Sequence, residues 1–305
     1  MPPRYLYLNG RVLSADQAHL SPWERGWLFG QGLFETLRSY HGVPFLLEEH
    51  QHRLETSAQA LGLSVPSWDP KLSLRDLVGE LLRKNRLPDA YIRIILTGGV
   101  SEPPDRSDAT TCILVRPLHR YDPLLYRRGA KVIVSAIRRN PTCPLAAHKT
   151  LNYWANLIAR QEATKVGATE AILLDTRGYL AEGAASNVFF VRDGRLLTPS
   201  LKANILPGIT RAKVIELAKR GGVRVSEGLY RLKNLQSAEE VFLTNSLMEV
   251  MPVRSINGRH VGTGRPGAIT RQLMRMYQDE ARCHSADENR ILCVGEEGVK
   301  PVRTR

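Results

Sequence analysis

No apolar run in the chain approaches the roughly 20 residues needed to cross a bilayer. The opening Met1-Pro2-Pro3-Arg4-Tyr5-Leu6-Tyr7-Leu8-Asn9-Gly10 lacks the apolar core and cleavage site of a secretory signal. These absences argue against a membrane partner and for the cytoplasm. Cysteine is scarce: Cys112, Cys143, Cys283 and Cys293 lie far apart, with no C-x-x-C pair. That argues against a disulfide framework or a zinc cluster, and reduced thiols suit the cytoplasm. Acidic residues are outnumbered, 30 against 43 basic, for a net charge of +13. Such an excess calls for an anionic partner: a phosphorylated cofactor, a carboxylate substrate or nucleic acid. Basic residues are dispersed, with doublets such as Arg127-Arg128 and Arg138-Arg139. With no basic helix interleaved with aromatics and no nucleic-acid motif, nucleic acid is the competing class rather than the expected partner.

What is present suffices for two domains. The chain has 305 residues, 43% hydrophobic and 24% charged, an ordinary globular composition. Asn9-Gly10 between apolar residues predicts a hairpin, and His41-Gly42 a second one. Residues 33–40 alternate as a strand, with Leu33, Glu35, Leu37 and Ser39 on one face and Phe34, Thr36, Arg38 and Tyr40 on the other. Leu47, Leu54, Ala58 and Leu61 form an apolar stripe over a helix at 47–61, with Arg53 beside it. Further helices are predicted at about 73–86, 152–166, 209–220 and 267–281, and strands at 90–97, 111–115, 131–136, 168–174, 188–191, 195–198, 241–244 and 250–256. A loop is expected at 98–108. Strands and helices mix without regular alternation or repeats, so the expected class is α+β. The division is a smaller N-terminal α/β domain (1–118), a linker (119–129), a larger C-terminal α/β domain (130–284) that binds a cofactor, and a loose polar tail (285–305). The cleft between the domains is the default site.

The chemistry centres on Lys149, between a proline-rich loop and an apolar helix pattern. Alone it reads as a solvated surface lysine. Alone, Glu182 reads as a turn acid, Gly208 as a helix start, and Arg53 as an exposed helix arginine. Together they fit a pyridoxal phosphate site. Such a site needs a lysine to hold the aldehyde, an acid to keep the pyridine nitrogen protonated, and a helix N-terminus with an arginine and hydroxyls for the phosphate.

Five stretches carry a resemblance: Gly30-Gln31-Gly32-Leu33-Phe34-Glu35-Thr36-Leu37-Arg38, Lys149-Thr150-Leu151-Asn152-Tyr153, Ala181-Glu182-Gly183-Ala184-Ala185-Ser186-Asn187, Leu206-Pro207-Gly208-Ile209-Thr210-Arg211, and residues 243–253 around Thr244-Asn245-Ser246-Leu247-Met248. With them the chain resembles the class IV (fold type IV) pyridoxal-phosphate enzymes over nearly its whole length. These comprise branched-chain aminotransferases, D-amino acid aminotransferases and 4-amino-4-deoxychorismate lyase. The resemblance implies the two-domain fold of that class and a homodimer with a partner loop closing each site. It implies that Lys149 is the Schiff-base lysine and proton shuttle. Glu182 would meet the pyridine nitrogen and Tyr153 the ring 3-oxygen. Arg53, Ser246 and the backbone N–H groups of Ile209 and Thr210 would take the phosphate. Arg38, Tyr91, Arg93 and the loop at Leu247 would take the carboxylates of a small anionic, amino-containing substrate.

Two positions discriminate within that class. Branched-chain aminotransferases usually carry glycine where this chain has Thr36, and Gly-Thr-Ala-Ala where it has Asn245-Ser246-Leu247-Met248. Both differences run toward the lyase, in which a Thr36 hydroxyl could assist the leaving group. The expected function is therefore conversion of 4-amino-4-deoxychorismate to 4-aminobenzoate and pyruvate, a step of folate synthesis. Tyr91-Ile92-Arg93 and the Leu206–Arg211 stretch point instead to a branched-chain aminotransferase, the alternative. A D-amino acid aminotransferase ranks third, because the loop starting at Gly98 lacks an Arg-x-His trap.

Overall fold

The computed structural model describes residues 4–65, 68, 71–100 and 109–296, with side chains to 286. The first part runs β1 (Tyr5–Leu8), β2 (Arg11–Ser14), α1 (Arg25–Phe29), β3 (Gly32–Tyr40), β4 (Val43–Pro44), α2 (Leu47–Ala60), α3 (Leu74–Asn85), β5 (Ala90–Thr97) and β6 (Thr110–Pro117). The second runs α4 (Pro123–Arg128), β7 (Ala130–Arg139), α5 (Trp154–Lys165), β8 (Glu170–Asp175), β9 (Leu180–Gly183), β10 (Asn187–Arg192), β11 (Arg195–Pro199), α6 (Ile209–Arg220), β12 (Val225–Gly228), α7 (Leu232–Gln236), β13 (Glu240–Asn245), β14 (Glu249–Ile256), β15 (Arg259–His260) and α8 (Ala268–Glu296).

The first six strands form an antiparallel sheet in the order β2-β1-β6-β5-β3-β4. Its tight turns are those the sequence marks: Asn9-Gly10 and His41-Gly42 have positive φ at both turn residues, which glycine at the second position accommodates. The pleat then decides what faces where. Leu33, Leu37, Ile92 and Ile94 point to one face and are buried against Leu47, Leu54 and Ala58 of α2 and Leu74, Leu77 and Leu81 of α3. Each such leucine stabilises the fold by about 1.5–3 kcal/mol. Helix α3 begins on a capping box, Ser73 with Asp76, as its sequence pattern allows. The opposite face carries Phe34, Thr36, Tyr91, Arg93 and Arg116, which line a cavity.

Strands β7 to β15 build a second, mixed sheet. Its main order is β12-β11-β10-β13-β14-β7-β8-β9, with β15 pairing β14. On one face, Phe189, Val191, Phe242 and Val250 pack against α6 and α8; the Phe189 and Phe242 rings stack at 5.0 Å. On the other, Val188, Phe190, Val241 and Leu243 pack with Leu235 of α7. Helix α5 lies on β7 and β8 through Ala159 and Ala163, small residues that allow close approach.

Two expectations need correction. The stretch 119–129 is not wholly linker: α4 forms there, with Asp122 capping Leu124 N–H at 2.8 Å and Pro123 in its first turn. The loose tail expected from 285 is also helical as far as Glu296. Residues 282–294 contain neither glycine nor proline to stop α8, and Tyr277, Ala281 and Ser285 are buried. Residues 297–305 lie outside the described residues, as does most of the expected 98–108 loop, from 101 onward. Among the described residues no helix is long and apolar enough to cross a membrane.

Candidate active site

The segment that holds Lys149 leaves the second sheet after β7 and docks on the first. Lys149 C=O accepts from Phe34 N–H at 2.9 Å, and Leu151 N–H donates to Gly32 C=O at 2.9 Å, so Leu33 and Thr150 form an antiparallel bridge. On the edge away from β5, the N-terminal half of β3 is thereby paired by the lysine segment. A side chain at Gly32 would meet Leu96 C=O and Leu151. The Lys149 side chain projects from this bridge into a cavity of about 1020 Å³ between the sheets. Its Nζ sits 4.4 Å from the centre of the Phe34 ring and 5.7 Å from that of Tyr153. Burial, with Arg53 and Arg93 nearby, lowers its pKa to about 8, despite the opposing charges of Glu35 and Glu182. A lysine so placed is neutral and nucleophilic in a far larger fraction than an ordinary lysine, about a tenth at pH 7.

Glu182, on β9, is buried in the same cavity wall. Its Oε1 pairs with Arg139 at 2.6 Å, and its Oε2 accepts from Leu206 N–H at 3.2 Å and Asn187 Nδ2 at 3.3 Å. Burial pushes its pKa up, against the pull of Arg139 and the Leu206 amide. The Tyr153 hydroxyl donates to Ala184 C=O at 3.0 Å, which leaves its oxygen free to accept.

A second group lies around the start of α6. Gly208 is its N-cap, and Ile209 and Thr210 open the helix on the cavity wall. First-turn N–H groups have no intrahelical acceptor, and the helix dipole favours an anion there. A Cβ on Gly208 would fall on Asn187 Oδ1. Arg53 reaches this helix end from α2. Its Nη1 donates to Pro207 C=O at 2.9 Å, while Nε and Nη2 grip Glu35 at 2.8 and 2.5 Å. Glu35 also binds His50 Nδ1 at 2.7 Å, and His50 Nε2 faces Ser246 Oγ at 3.2 Å. Burial alone would raise the Glu35 pKa, but Arg53 and His50 outweigh it and hold it at about 2. Burial lowers that of His50. A neutral His50 donating to Glu35 leaves Nε2 to accept from Ser246. In the same wall the Thr244 hydroxyl is buried without a hydrogen-bond partner.

The structure thus brings Lys149, Thr36, Glu182, Tyr153, Arg53, Ile209, Thr210, Ser246, Tyr91, Arg93 and Leu247 onto one cavity. Leu247 is held there by an Asx turn, in which Asn245 Oδ1 accepts from the N–H groups of Leu247 and Met248 at 2.9 and 2.8 Å. Arg38 is the exception: it lies off the cavity lining, paired with Glu249 at 2.9 Å and stacked on Tyr40. The resemblance implies a substrate contact for it, but the Glu249 carboxylate claims it. Sequence reasoning passed over Glu35, His50, Arg139 and Asn187. For two of them a signal existed. Glu35 is a charge on the apolar face of β3, and His50 falls within the apolar stripe of α2.

These residues fit a phosphorylated pyridine aldehyde. A lysine of lowered pKa stands beside a buried acid, and a glycine-capped helix start, an arginine and two hydroxyls stand at the other end of the wall.

Comparison with known proteins agrees. The family profile of the class IV amino-transferases matches residues 32–256. The chain is 39% identical over 279 residues to a Methanocaldococcus jannaschii protein provisionally named branched-chain-amino-acid aminotransferase, covering 90% of this chain and 95% of that one. It is 33% identical over 282 residues to the aminodeoxychorismate lyase of Bacillus subtilis, covering 91% and 94%. Among solved structures it superposes with a TM-score of 0.82 and 32% identity on a T.th. branched-chain amino acid aminotransferase complexed with N-(5'-phosphopyridoxyl)-L-glutamate, covering 91% of this chain and 93% of that one.

Proposed function

This chain belongs to the class IV aminotransferases, which use pyridoxal phosphate, and we propose that it is a branched-chain amino acid aminotransferase. The observation that carries the choice is its near full-length similarity to branched-chain aminotransferases, higher in identity than to the lyase. Phe34, Leu145, Leu247 and Met248 on the cavity wall suit an aliphatic side chain. This displaces the lyase as the leading reading.

Pyridoxal phosphate, when bound, supplies an aldehyde carbon that takes up amines and a ring that draws electrons from the carbon bearing the amine. Lys149 would hold that aldehyde and carry a proton on Nζ to and from the substrate carbon. Glu182, fixed by Arg139, would hold a proton at the ring nitrogen. Tyr153 would accept or donate at the ring oxygen. Arg53, Ser246 and the Ile209 and Thr210 amides would take the phosphate. Tyr91, Arg93 and the Leu247 loop would orient the substrate carboxylate. The deciding assay offers leucine with 2-oxoglutarate, following glutamate, and separately aminodeoxychorismate, following 4-aminobenzoate. Glutamate alone is expected; aminobenzoate alone overturns the assignment.

One observation favours the lyase as a second reading: Thr36 stands on the cavity wall, opposite Arg93 in the β3–β5 register. Thr36→Gly is expected to leave amino transfer within about tenfold of wild type, whereas a lyase relying on this hydroxyl as a general acid would lose about a hundredfold or more.

A homodimer is part of the proposal. Trp23, Trp27 and Phe29 are 66%, 80% and 58% exposed, and Trp154 is 73% exposed. Asn152 Nδ2 donates to Gly30 C=O at 3.1 Å, which places α1 beside the lysine segment. Exposed large aromatic residues of this kind are characteristic of an interface. Trp27→Glu is expected to shift sedimentation from dimer to monomer; an unchanged dimer would place the interface elsewhere.

A further inference from the structure

The loop between β13 and β14 bends where the sequence offers no glycine. The two strands pair as far as Asn245 and Glu249, which leaves Ser246, Leu247 and Met248 as a three-residue hairpin loop on the cavity wall. Loops of this length commonly end on a residue in the left-handed region, which glycine enters freely. Here Glu249 takes that place, at φ 59°. For a residue with a Cβ this conformation is unfavourable, and it persists only where the surroundings impose it.

The surroundings come from the other sheet. Glu249 Oε1 accepts from Arg38 Nη1 at 2.9 Å and from the Tyr40 hydroxyl at 2.7 Å. Both donors lie on β3, on the strand face that also carries Phe34 and Thr36, so the cavity wall continues outward into this contact. The donors are themselves fixed. The Arg38 guanidinium lies 4.1 Å from the centre of the Tyr40 ring, which meets Phe45 edge-on at 5.6 Å, and Phe45 meets the buried Tyr277 of α8 at 5.7 Å. The Arg38 and Glu249 side chains are only 14% and 13% exposed, so salt screens the pair weakly. At the other end of the loop, Ser246 Oγ faces Nε2 of His50, a residue of α2. Leu247 and Met248 are thus carried between two anchors that both belong to the first part of the chain.

We propose that Glu249 is a positioning residue for the reaction: its carboxylate, gripped by Arg38 and Tyr40, holds the left-handed bend that sets Leu247 against the substrate. This rests on the reading of the Leu247 loop as part of a site for amino and 2-oxo acids. Two requirements can be separated. Glycine meets the backbone requirement and abolishes the anchor. Glutamine keeps an oxygen for both donors, since they meet on Oε1 alone. A bend that needed only a positive φ would be served best by glycine; a loop that must dock on β3 is served best by glutamine.

The test titrates 4-methylpentanoate, an unreactive branched-chain carboxylate, by calorimetry into the holoenzyme of wild type, Glu249→Gly, Glu249→Gln and Tyr40→Phe. Glu249→Gly is expected to weaken binding about five- to tenfold, the scale of losing hydrogen bonds to a charged group. Glu249→Gln should stay within about twofold of wild type. Leucine turnover should divide the glycine and glutamine variants in the same way, through a rise in KM with kcat held within about threefold, because Lys149 is untouched. Tyr40→Phe removes one donor while its ring stays on Phe45; it should weaken the probe about two- to threefold, and it decides the matter if the glycine variant does not fold. Wild-type affinity in the glycine or phenylalanine variant, a glutamine variant as weak as the glycine one, a fall in kcat with KM unchanged, or no binding to wild type would each overturn the proposal. Failure of the aminotransferase reading shows separately, as absence of glutamate formation from leucine and 2-oxoglutarate by wild type.

Discussion

Lys149→Ala is expected to lower turnover at least about a thousandfold, because in the proposed function it removes both the covalent anchor and the general base, the latter alone worth about 10²–10⁴. Protein saturated with pyridoxal phosphate should lose the visible band that depends on the lysine. The same variant should not unfold. Lys149 brings a charge into a wall already crowded by Arg53 and Arg93, and burial lowers its pKa from 10.5 to about 8. The sign of the linkage follows. Between pH 8 and 10.5 the unfolded chain keeps a proton that the folded chain has lost, so wild-type stability rises with pH through that window. Below pH 8 the folded protein carries the full cost of protonating a crowded amine. The apo form of Lys149→Ala should therefore melt at or above the wild-type temperature at pH 7, and should lack the alkaline rise. A variant that keeps more than about a tenth of wild-type turnover, or a melt well below wild type, would refute this placement.

How much of this was legible beforehand depends on the range over which each residue's role is decided. Period-two alternation assigned Leu33 and Phe34 to opposite faces of β3, and the structure gives those faces to core and cavity respectively. Turns at Asn9-Gly10 and His41-Gly42 can be read because positive φ is a local demand. Pairings across the chain cannot. Nothing local to Arg38 announces that Glu249, 211 residues away, will claim its guanidinium. Nor does anything near Arg139 show that it will neutralise Glu182. Thr36 was weighted toward the lyase on residue identity alone, yet the same β-branched residue satisfies strand propensity, and similarity over the whole chain pulls the other way. The helix through 285–296 was missed because a polar sequence without breakers can be either helix or coil, and burial of Tyr277, Ala281 and Ser285 is what extends α8.

The relay Ser246–His50–Glu35–Arg53–Pro207 yields the second large effect, and its direction is not obvious. Glu35 is a negative charge two contacts from the proposed phosphate site, so simple Coulomb reasoning says that removing it should tighten an anion. Geometry argues the reverse. Glu35 grips Nε and Nη2 of Arg53 and thereby fixes the fork whose Nη1 is tied to Pro207 at the head of α6. Without it, the 11%-exposed Arg53 side chain is a buried cation lacking its partner. Breaking a buried pair from one side typically costs about 3–5 kcal/mol. Glu35→Ala is accordingly expected to lose stability on that scale and to weaken inorganic phosphate binding to the apo-protein about tenfold or more, since about 1.4 kcal/mol suffices for each factor of ten. Glu35→Gln separates charge from shape. Its carbonyl can still accept from Arg53 Nε, while its amide, which gives up the bond from Arg53 Nη2, can donate to His50 Nδ1. That would reverse the imidazole tautomer, so that Nε2–H donates to Ser246 and frees the Ser246 proton for phosphate. The glutamine variant should therefore retain phosphate binding far better than the alanine one. With a folded pKa of about 2 against 4.5 unfolded, the stability Glu35 contributes is present above pH 4.5 and disappears as pH falls toward 2, so the glutamine variant should show a shallower acid slope in that window. Tighter phosphate binding in both variants would mean that charge, not the fixed geometry of Arg53, governs this end of the cavity.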